Sequence, residues 1–260
     1  MKDPSHFFDF AAEVGLSKHI GGIEATRRLL ELCAVDAGKV ILDVGCGVGA
    51  TPCFIAREYG CRVVGVDILE RMVERSRERA EREELSGSVE FRVADVQHLP
   101  FEDARFDAVI TESVIAFPEN KQQAVNELAR VTKPGGAVGL NETTWLKVPP
   151  PPEMVAWAAQ DVGANVTPLT SGEWVGLLEA AGLGDIVAQT YAVNIKDESK
   201  GILQRYGRGG MVAVLGRMLY LYFKSPAYRT FVKEVQRGGI VPEHLEDYFG
   251  YGIFVGRKPA

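Results

Sequence analysis

Asp43-Val44-Gly45-Cys46-Gly47-Val48-Gly49 sets an acid and three alternating glycines directly after the apolar run Val40-Ile41-Leu42. Glycines in this arrangement let the backbone approach a ligand closely and take positive φ. The helix that follows opens with unpaired N–H groups and a partial positive charge. A carboxylate or a phosphate is equally welcome there. Gly45, Gly47 and Ala50 also satisfy the G-x-G-x-x-G/A spacing, and Asp67 stands 22 residues beyond Gly45. The chemistry these residues point to is binding of a nucleotide-type ligand.

Positioning such a loop takes a strand that ends in it and a helix that leaves it. Val40–Val44 reads as a buried strand, and Thr51–Tyr59 as a helix stopped by Gly60. Arg62–Asp67 is a second strand, and Leu69–Glu84 an amphipathic helix with the stripe Leu69, Met72, Val73, Ser76 and Ala80. Val89–Ala94, Phe106–Ile110 and Ala137–Leu140 add strands, with a helix over Lys121–Val131. After the stiff connector Val148–Pro152 come helices near Glu153–Gln160 and Ser171–Ala181, then strands over Gly184–Val193 and Tyr248–Val255. Strand–helix alternation predicts an α/β, Rossmann-like, seven-stranded and mostly parallel sheet with helices on both faces. In such sheets ligands bind beyond the carboxyl ends of the strands, where Asp43, Asp67 and Asp95 all fall.

The expected organisation has three parts. Residues 1–39 form an N-terminal helical cap segment and 40–145 the ligand-binding core. Residues 146–260 complete the sheet with acceptor-side helical insertions at about 195–247, a helical cap before the last strand. Ile202–Phe223 is apolar over much of its circumference and interrupted by Arg205, Arg208 and Arg217, which reads as a cap helix packed on the core. An aromatic acceptor pocket and a lipid-facing surface helix are the alternatives.

Composition sets the outer bounds. The 260 residues are 46% hydrophobic and 25% charged with a net charge of −6, which argues against a broad nucleic-acid footprint. Cys33, Cys46, Cys53 and Cys61 show no C-x-x-C spacing and read as buried reduced thiols; no metal site is expected. Asp3 and Pro4 stand where a signal peptide needs an apolar run, and no stretch is long enough to span a bilayer. A cytoplasmic protein without stable membrane insertion is expected.

Val40–Gly49 resembles the first motif of class I S-adenosylmethionine-dependent methyltransferases, including the acid two residues before the first glycine. A pyrophosphate would be repelled by an acid placed like Asp43. The resemblance extends in order through Val63–Asp67, Phe91–Phe101 with its Leu-Pro-Phe, Phe106–Glu112 and Val131–Gly136. It implies S-adenosyl-L-methionine as cofactor and S-adenosyl-L-homocysteine as product. By this similarity Asp43, Gly45, Cys46 and Gly47 lie near the methionine end, and Asp67 takes both ribose hydroxyls. Ile68 and Met72 flank the adenine, Asp95 and the Val96 N–H meet its polar edge, and Thr111 lies beside the site. His98 reads as a loop histidine.

Transfer of a methyl group from a sulfonium is an in-line displacement that chiefly needs alignment and exclusion of water. A base is required only where the acceptor must lose a proton. Glu112 and Glu142, after the fourth and fifth strands, are the candidate catalytic groups; His19, Trp145 and Tyr206 are the candidate acceptor contacts. The expected acceptor is a small molecule offering N, O, S or a metalloid, a homodimer is compatible with the reading, and nucleic acid is not expected. Competing readings are an NAD(P)-dependent oxidoreductase, a non-catalytic S-adenosylmethionine-binding protein, and carbanion or cyclopropane chemistry on the same fold.

Overall fold

The computed structural model describes residues 10, 12–14, 19–161, 168–193, 211–212, 214–236 and 242–260. In chain order the elements are α1 (Gly22–Leu32), β1 (Val40–Val44), α2 (Ala50–Tyr59), β2 (Arg62–Asp67), α3 (Glu70–Arg82), β3 (Val89–Val93) and β4 (Phe106–Glu112). There follow α4 (Lys121–Val131), β5 (Thr132–Trp145), α5 (Pro152–Asp161), β6 (Leu169–Thr170), α6 (Ser171–Ala180) and β7 (Gly184–Ala192). The last are α7 (Pro226–Gln236), α8 (Leu245–Tyr248) and β8 (Phe249–Arg257).

The sheet runs β3-β2-β1-β4-β5-β8-β7, with β6 attached to β5. Strands β1 to β5 are parallel, and β8 is antiparallel to both its neighbours. The eighth strand, beyond the seven expected, is the two-residue β6, too short to leave a periodic pattern. Side chains alternate between faces along each strand. Ile41, Val63, Ala108 and Ile110 pack under α1, α2 and α3 with Leu29, Phe54, Ile55 and Val73. Leu42, Val64, Val66 and Val109 face the other way, against Leu128 of α4 and Trp174 and Leu178 of α6.

Strand β5 is far longer than the expected Ala137–Leu140. Its polar half, Asn141-Glu142-Thr143-Thr144, is fully extended and buried, paired with β8 from Ala137↔Arg257 to Trp145↔Phe249. At its start, Lys133-Pro134-Gly135-Gly136 bulges out between the Phe106↔Thr132 and Ala108↔Ala137 pairs. Gly139 has no room for a side chain: a Cβ there would meet Cys33 Sγ at 2.5 Å, which lets α1 press onto the sheet.

Residues 211–212 and 214–224 are helical and α7 follows them. The N-terminal residues tie this cap to the ligand end of the sheet. Phe10 meets Tyr228 and Phe231 of α7 with centroids 5.1 and 5.0 Å apart, while Ala12 packs on Val48 and Met72. Of the expected cap helix Ile202–Phe223, residues 202–210 and 213 lie outside the described residues; in the rest, Val214 is buried. Val212, Leu215, Leu219 and Phe223 face outward and are exposed.

Candidate active site

The glycine loop is held from beneath by β2. Gly45 and Cys46 both donate to Val66 O, at 2.8 and 2.9 Å. Gly45, Gly47 and Gly49 all have positive φ, and a Cβ on Gly45 would lie 2.2 Å from Val114 Cγ2, so position 45 accepts only glycine. Ser76 Oγ donates to Gly47 O at 2.7 Å and Arg79 Nε to Val48 O at 2.8 Å, so α3 clamps the loop's outer side.

Asp67 ends β2 half-buried. Its Oδ2 accepts from Gly47 N at 2.9 Å and its Oδ1 from Leu69 N at 3.0 Å. Each carboxylate oxygen has two lone pairs, so a diol can still be taken in bidentate fashion. Burial pushes the Asp67 carboxyl above its usual range, and the backbone N–H groups of Leu69, Gly47 and Ile68 oppose that shift. Ile68 beside it is 64% exposed, an apolar face next to a polar diol site. Met72, its expected partner, is instead covered by Ala12, Val48 and Leu69. Asp95 Oδ1 accepts from Gln97 N at 2.9 Å; Val96 is buried and His98 exposed. The Leu99-Pro100-Phe101 turn is pinned to α4: Leu99 N donates to Glu127 Oε2, and Arg130 donates to the Leu99 and Phe101 carbonyls.

Asp43 is buried at the end of β1, and Thr111 on the neighbouring β4 is buried with its Oγ1 unpaired. Burial, followed by the charges of Asp43 and Asp67, drives the Cys46 thiol well above its ordinary range, so it is held as a neutral thiol. Asp43, buried two residues before Gly45, disfavours an anionic pyrophosphate beside the loop. The residues fit an amino-acid–nucleoside ligand with a free ribose: paired acids, an exposed apolar face and a buried hydroxyl lacking a partner.

The two glutamates lie deeper. Glu112 ends β4 and faces α1 and α2. Its Oε2 lies 3.0 Å from His19 Nδ1 and accepts from Thr26 Oγ1 at 3.0 Å and Asn141 Nδ2 at 3.3 Å. Its Oε1 accepts from Thr51 Oγ1 at 3.0 Å. Nearby, Asn141 Nδ2 donates to Ile20 O, fixing the segment that carries His19. Glu112 thus joins α1, α2, β4 and β5 at one buried point. Substituting leucine would strand His19, two threonines and an asparagine. We expect Glu112→Leu to cost about 3–5 kcal/mol in urea unfolding, and Glu112→Gln less because it keeps an acceptor.

Glu142 is fully buried on the opposite face of β5, and its Oε1 accepts from Val114 N at 2.8 Å and Ile115 N at 2.7 Å. Burial raises its carboxyl to about 7 against the opposing backbone bonds. Trp145 belongs to an aromatic cluster with Met154, Trp157 and Phe249 at the end of β5. Tyr206 lies outside the described residues.

Thr26, Thr51, Ser76 and Asn141 are the polar site residues that the pattern left unassigned. Their available signal was a hydroxyl or amide at a position the periodicity gives to the core.

Comparison with known proteins bears on this geometry. The family described as "Methyltransferase domain" matches residues 42–140, from β1 into β5. The chain is 34% identical over 244 residues to 27-O-demethylrifamycin SV methyltransferase of Amycolatopsis mediterranei, covering 91% of this chain and 85% of that protein. It is 39% identical over 120 residues to methyltransferase GfsG of Streptomyces halstedii, a match spanning 46% of this chain and less than half, 43%, of that protein. Haemonchus contortus phosphoethanolamine N-methyltransferase 2, solved with S-adenosyl-L-methionine, shares the fold. Its TM-score is 0.70 at 21% identity, covering 96% of this chain and 56% of that one. With this loop, these acids and a relative matched along nearly its whole length, the chain belongs to the class I S-adenosylmethionine-dependent methyltransferases.

Proposed function

We propose that this methyltransferase acts on a small, largely apolar organic acceptor through a hydroxyl group, whose proton passes to solvent water as the new oxygen–methyl bond forms and the methyl–sulfur bond breaks, so that no dedicated side-chain base is needed. S-adenosylmethionine supplies an activated methyl group on a sulfonium when bound. The observation that carries the reading is the disposition of Asp67: it braces Gly47 and Leu69 while keeping lone pairs for a ribose diol beside the exposed Ile68. Gly45, Cys46 and Gly47 follow the methionine end, Asp43 balances the cation, and Asp95, Val96 and Thr111 complete the cofactor side. His19 and Glu112 act as positioning residues that hold the start of the chain against the ends of β4 and β5.

An apolar acceptor is supported by the cluster of Trp145, Trp157 and Phe249 at the end of β5, two strands along the sheet from Asp43 on β1. A hydroxyl is supported by the long match to an enzyme named for 27-O-demethylrifamycin SV. With Glu112 committed to four side chains of its own protein and Glu142 sealed, alignment and desolvation are the main contributions. Nucleic acid falls outside this reading on charge, and the four buried free cysteines suit the cytoplasm.

Calorimetric titration with S-adenosylhomocysteine, run beside NAD, tests the cofactor assignment; micromolar binding of the first alone is expected. Labelled-methyl transfer to a panel of phenols, macrocyclic alcohols and amines then tests the acceptor. Turnover of amines alone would overturn the hydroxyl assignment and leave the cofactor assignment standing.

A further inference from the structure

Among the described residues, five buried side-chain polar atoms have no hydrogen-bond partner: Thr111 Oγ1, Asn141 Oδ1, Glu142 Oε2, Thr143 Oγ1 and Trp157 Nε1. A buried polar atom without a partner forfeits the hydrogen bonds it had in water, so folded proteins carry few of them. These five are not scattered. Thr111 is the penultimate residue of β4, and Asn141, Glu142 and Thr143 follow one another near the end of β5. Trp157 sits on α5, which packs against that same end. Thr111 and Glu142 lie on the face of the sheet covered by α4. Asn141 and Thr143 share the opposite face with Trp145, because side chains alternate along a strand.

That second strip runs past the end of β4. The last pair between the two strands is Glu112↔Asn141, so Thr143 and Trp145 extend beyond the strand that carries Glu112. On β8, Tyr251 stands opposite Thr143 and Phe249 opposite Trp145. The Trp157 and Phe249 ring centroids are 5.4 Å apart, and Ile20 packs on the same cluster. Asn141 Nδ2 donates to Ile20 O at 3.0 Å, and a Cβ on Gly21 would meet the Tyr251 ring at 2.6 Å, so residues 20–21 roof the strip. Asn141 and Thr143 are 0% and 4% exposed, and Trp157 is half-buried. The unpaired atoms are an acceptor on Asn141, a donor on Trp157, and a Thr143 hydroxyl that serves as either. Glu112, the neighbouring acid, is engaged by His19, Thr26, Thr51 and Asn141, so the strip presents neutral groups.

We propose that Asn141, Thr143 and Trp157 form a subsite for a second hydroxyl group on the acceptor, distinct from the one that is methylated. A hydroxyl donates and accepts at once, which matches an unpaired amide oxygen, an indole N–H and a threonine hydroxyl. A carboxylate has no proton to give Asn141 Oδ1, and an ammonium has no lone pair for the Trp157 N–H. The inference rests on the hydroxyl-bearing acceptor proposed above and narrows it to neutral molecules with at least two hydroxyls and an apolar body against Trp145 and Phe249. Holding the acceptor at a second point fixes the approach of its reacting oxygen.

The test is an NMR titration of the S-adenosylhomocysteine complex, isotope-labelled at its tryptophan indole nitrogens. The probes are pairs of phenols and of macrocyclic alcohols that differ by one further hydroxyl. Trp157→Phe identifies the Trp157 indole signal by its loss. The member with the extra hydroxyl is expected to move that signal and to bind about tenfold more tightly than its partner. Thr143→Val should remove most of that preference. It should also raise the unfolding midpoint of the free protein by about 2 °C or more, since an unpaired buried hydroxyl is gone; a hydroxyl that the fold itself needs would lower it. Equal binding within every pair, or no response to any probe, would overturn the proposal. So would a lower midpoint in Thr143→Val, or a preference that this variant leaves intact, which would reduce the strip to a place for buried water. Methyl transfer is scored separately on the same panel. Transfer to hydroxyls without the preference strikes the subsite alone, and the preference without transfer to hydroxyls strikes the proposed reaction alone.

Discussion

Asp67→Ala is expected to weaken S-adenosylhomocysteine binding by about 100-fold or more in calorimetry. Two losses combine in that figure. A ribose diol held by a carboxylate makes charge-assisted hydrogen bonds worth roughly 1.5–3 kcal/mol each, and about 1.4 kcal/mol is tenfold in affinity. The same carboxylate accepts from Gly47 N and Leu69 N, so its removal also takes away one of the loop's ties to β2 and leaves only those to Val66 O. Asp67→Asn separates the two losses, because its amide oxygen retains one acceptor for the loop while half of the diol clamp disappears. The expected order of affinity is wild type, then Asp67→Asn, then Asp67→Ala, with unfolding midpoints that differ much less than the binding constants. Equal affinity in all three proteins would reduce Asp67 to a loop brace and move the ribose elsewhere.

Stability should fall as the pH rises from about 4.5 to about 7, and Glu142 is the residue responsible. Burial raises its folded carboxyl from the ordinary 4.5 to about 7. Between those values the folded protein holds a proton that the unfolded chain releases, so each step up in pH favours unfolding. The loss is complete above the folded value. At about 1.36 kcal/mol per unit the full effect is roughly 3 kcal/mol. Glu142→Gln keeps an acceptor for Val114 N and Ile115 N and carries no charge to bury. The variant should therefore match the wild type near pH 4 and exceed it by roughly 3 kcal/mol at pH 8, read from urea unfolding at each pH. A wild-type curve as flat as the variant's would show that Glu142 ionises without penalty, and hence that its pocket admits water.

The glycine loop and the acids at the neighbouring strand ends were legible in the sequence because they are local. One strand, one turn and one helix start bring Asp43 to Gly49 together, and Asp67 and Asp95 need only end neighbouring parallel strands to converge on the same edge. Short apolar, β-branched runs marked those strands, and the glycines marked a turn that other residues strain to make. The structure adds what holds the loop, from Val66 and Ser76, but moves none of those ends.

The far half of β5 and the surroundings of Glu112 were decided only in three dimensions. Asn141-Glu142-Thr143-Thr144 carries no strand signal, since four polar residues in a row ordinarily seek water; it is extended because β8 returns from far along the chain to pair with it. Glu112 read as an open acid after a strand, whereas His19 and Thr26 from the N-terminal segment, Thr51 from α2 and Asn141 from β5 arrive to occupy it. Met72 shared the apolar stripe of α3 with the core, and Ala12 from the start of the chain covers it while leaving Ile68 open. The cap was legible as apolar, but hydropathy has no direction. Which of its two stripes meets the protein and which meets solvent follows from the placement of the whole helix, which no local pattern specifies.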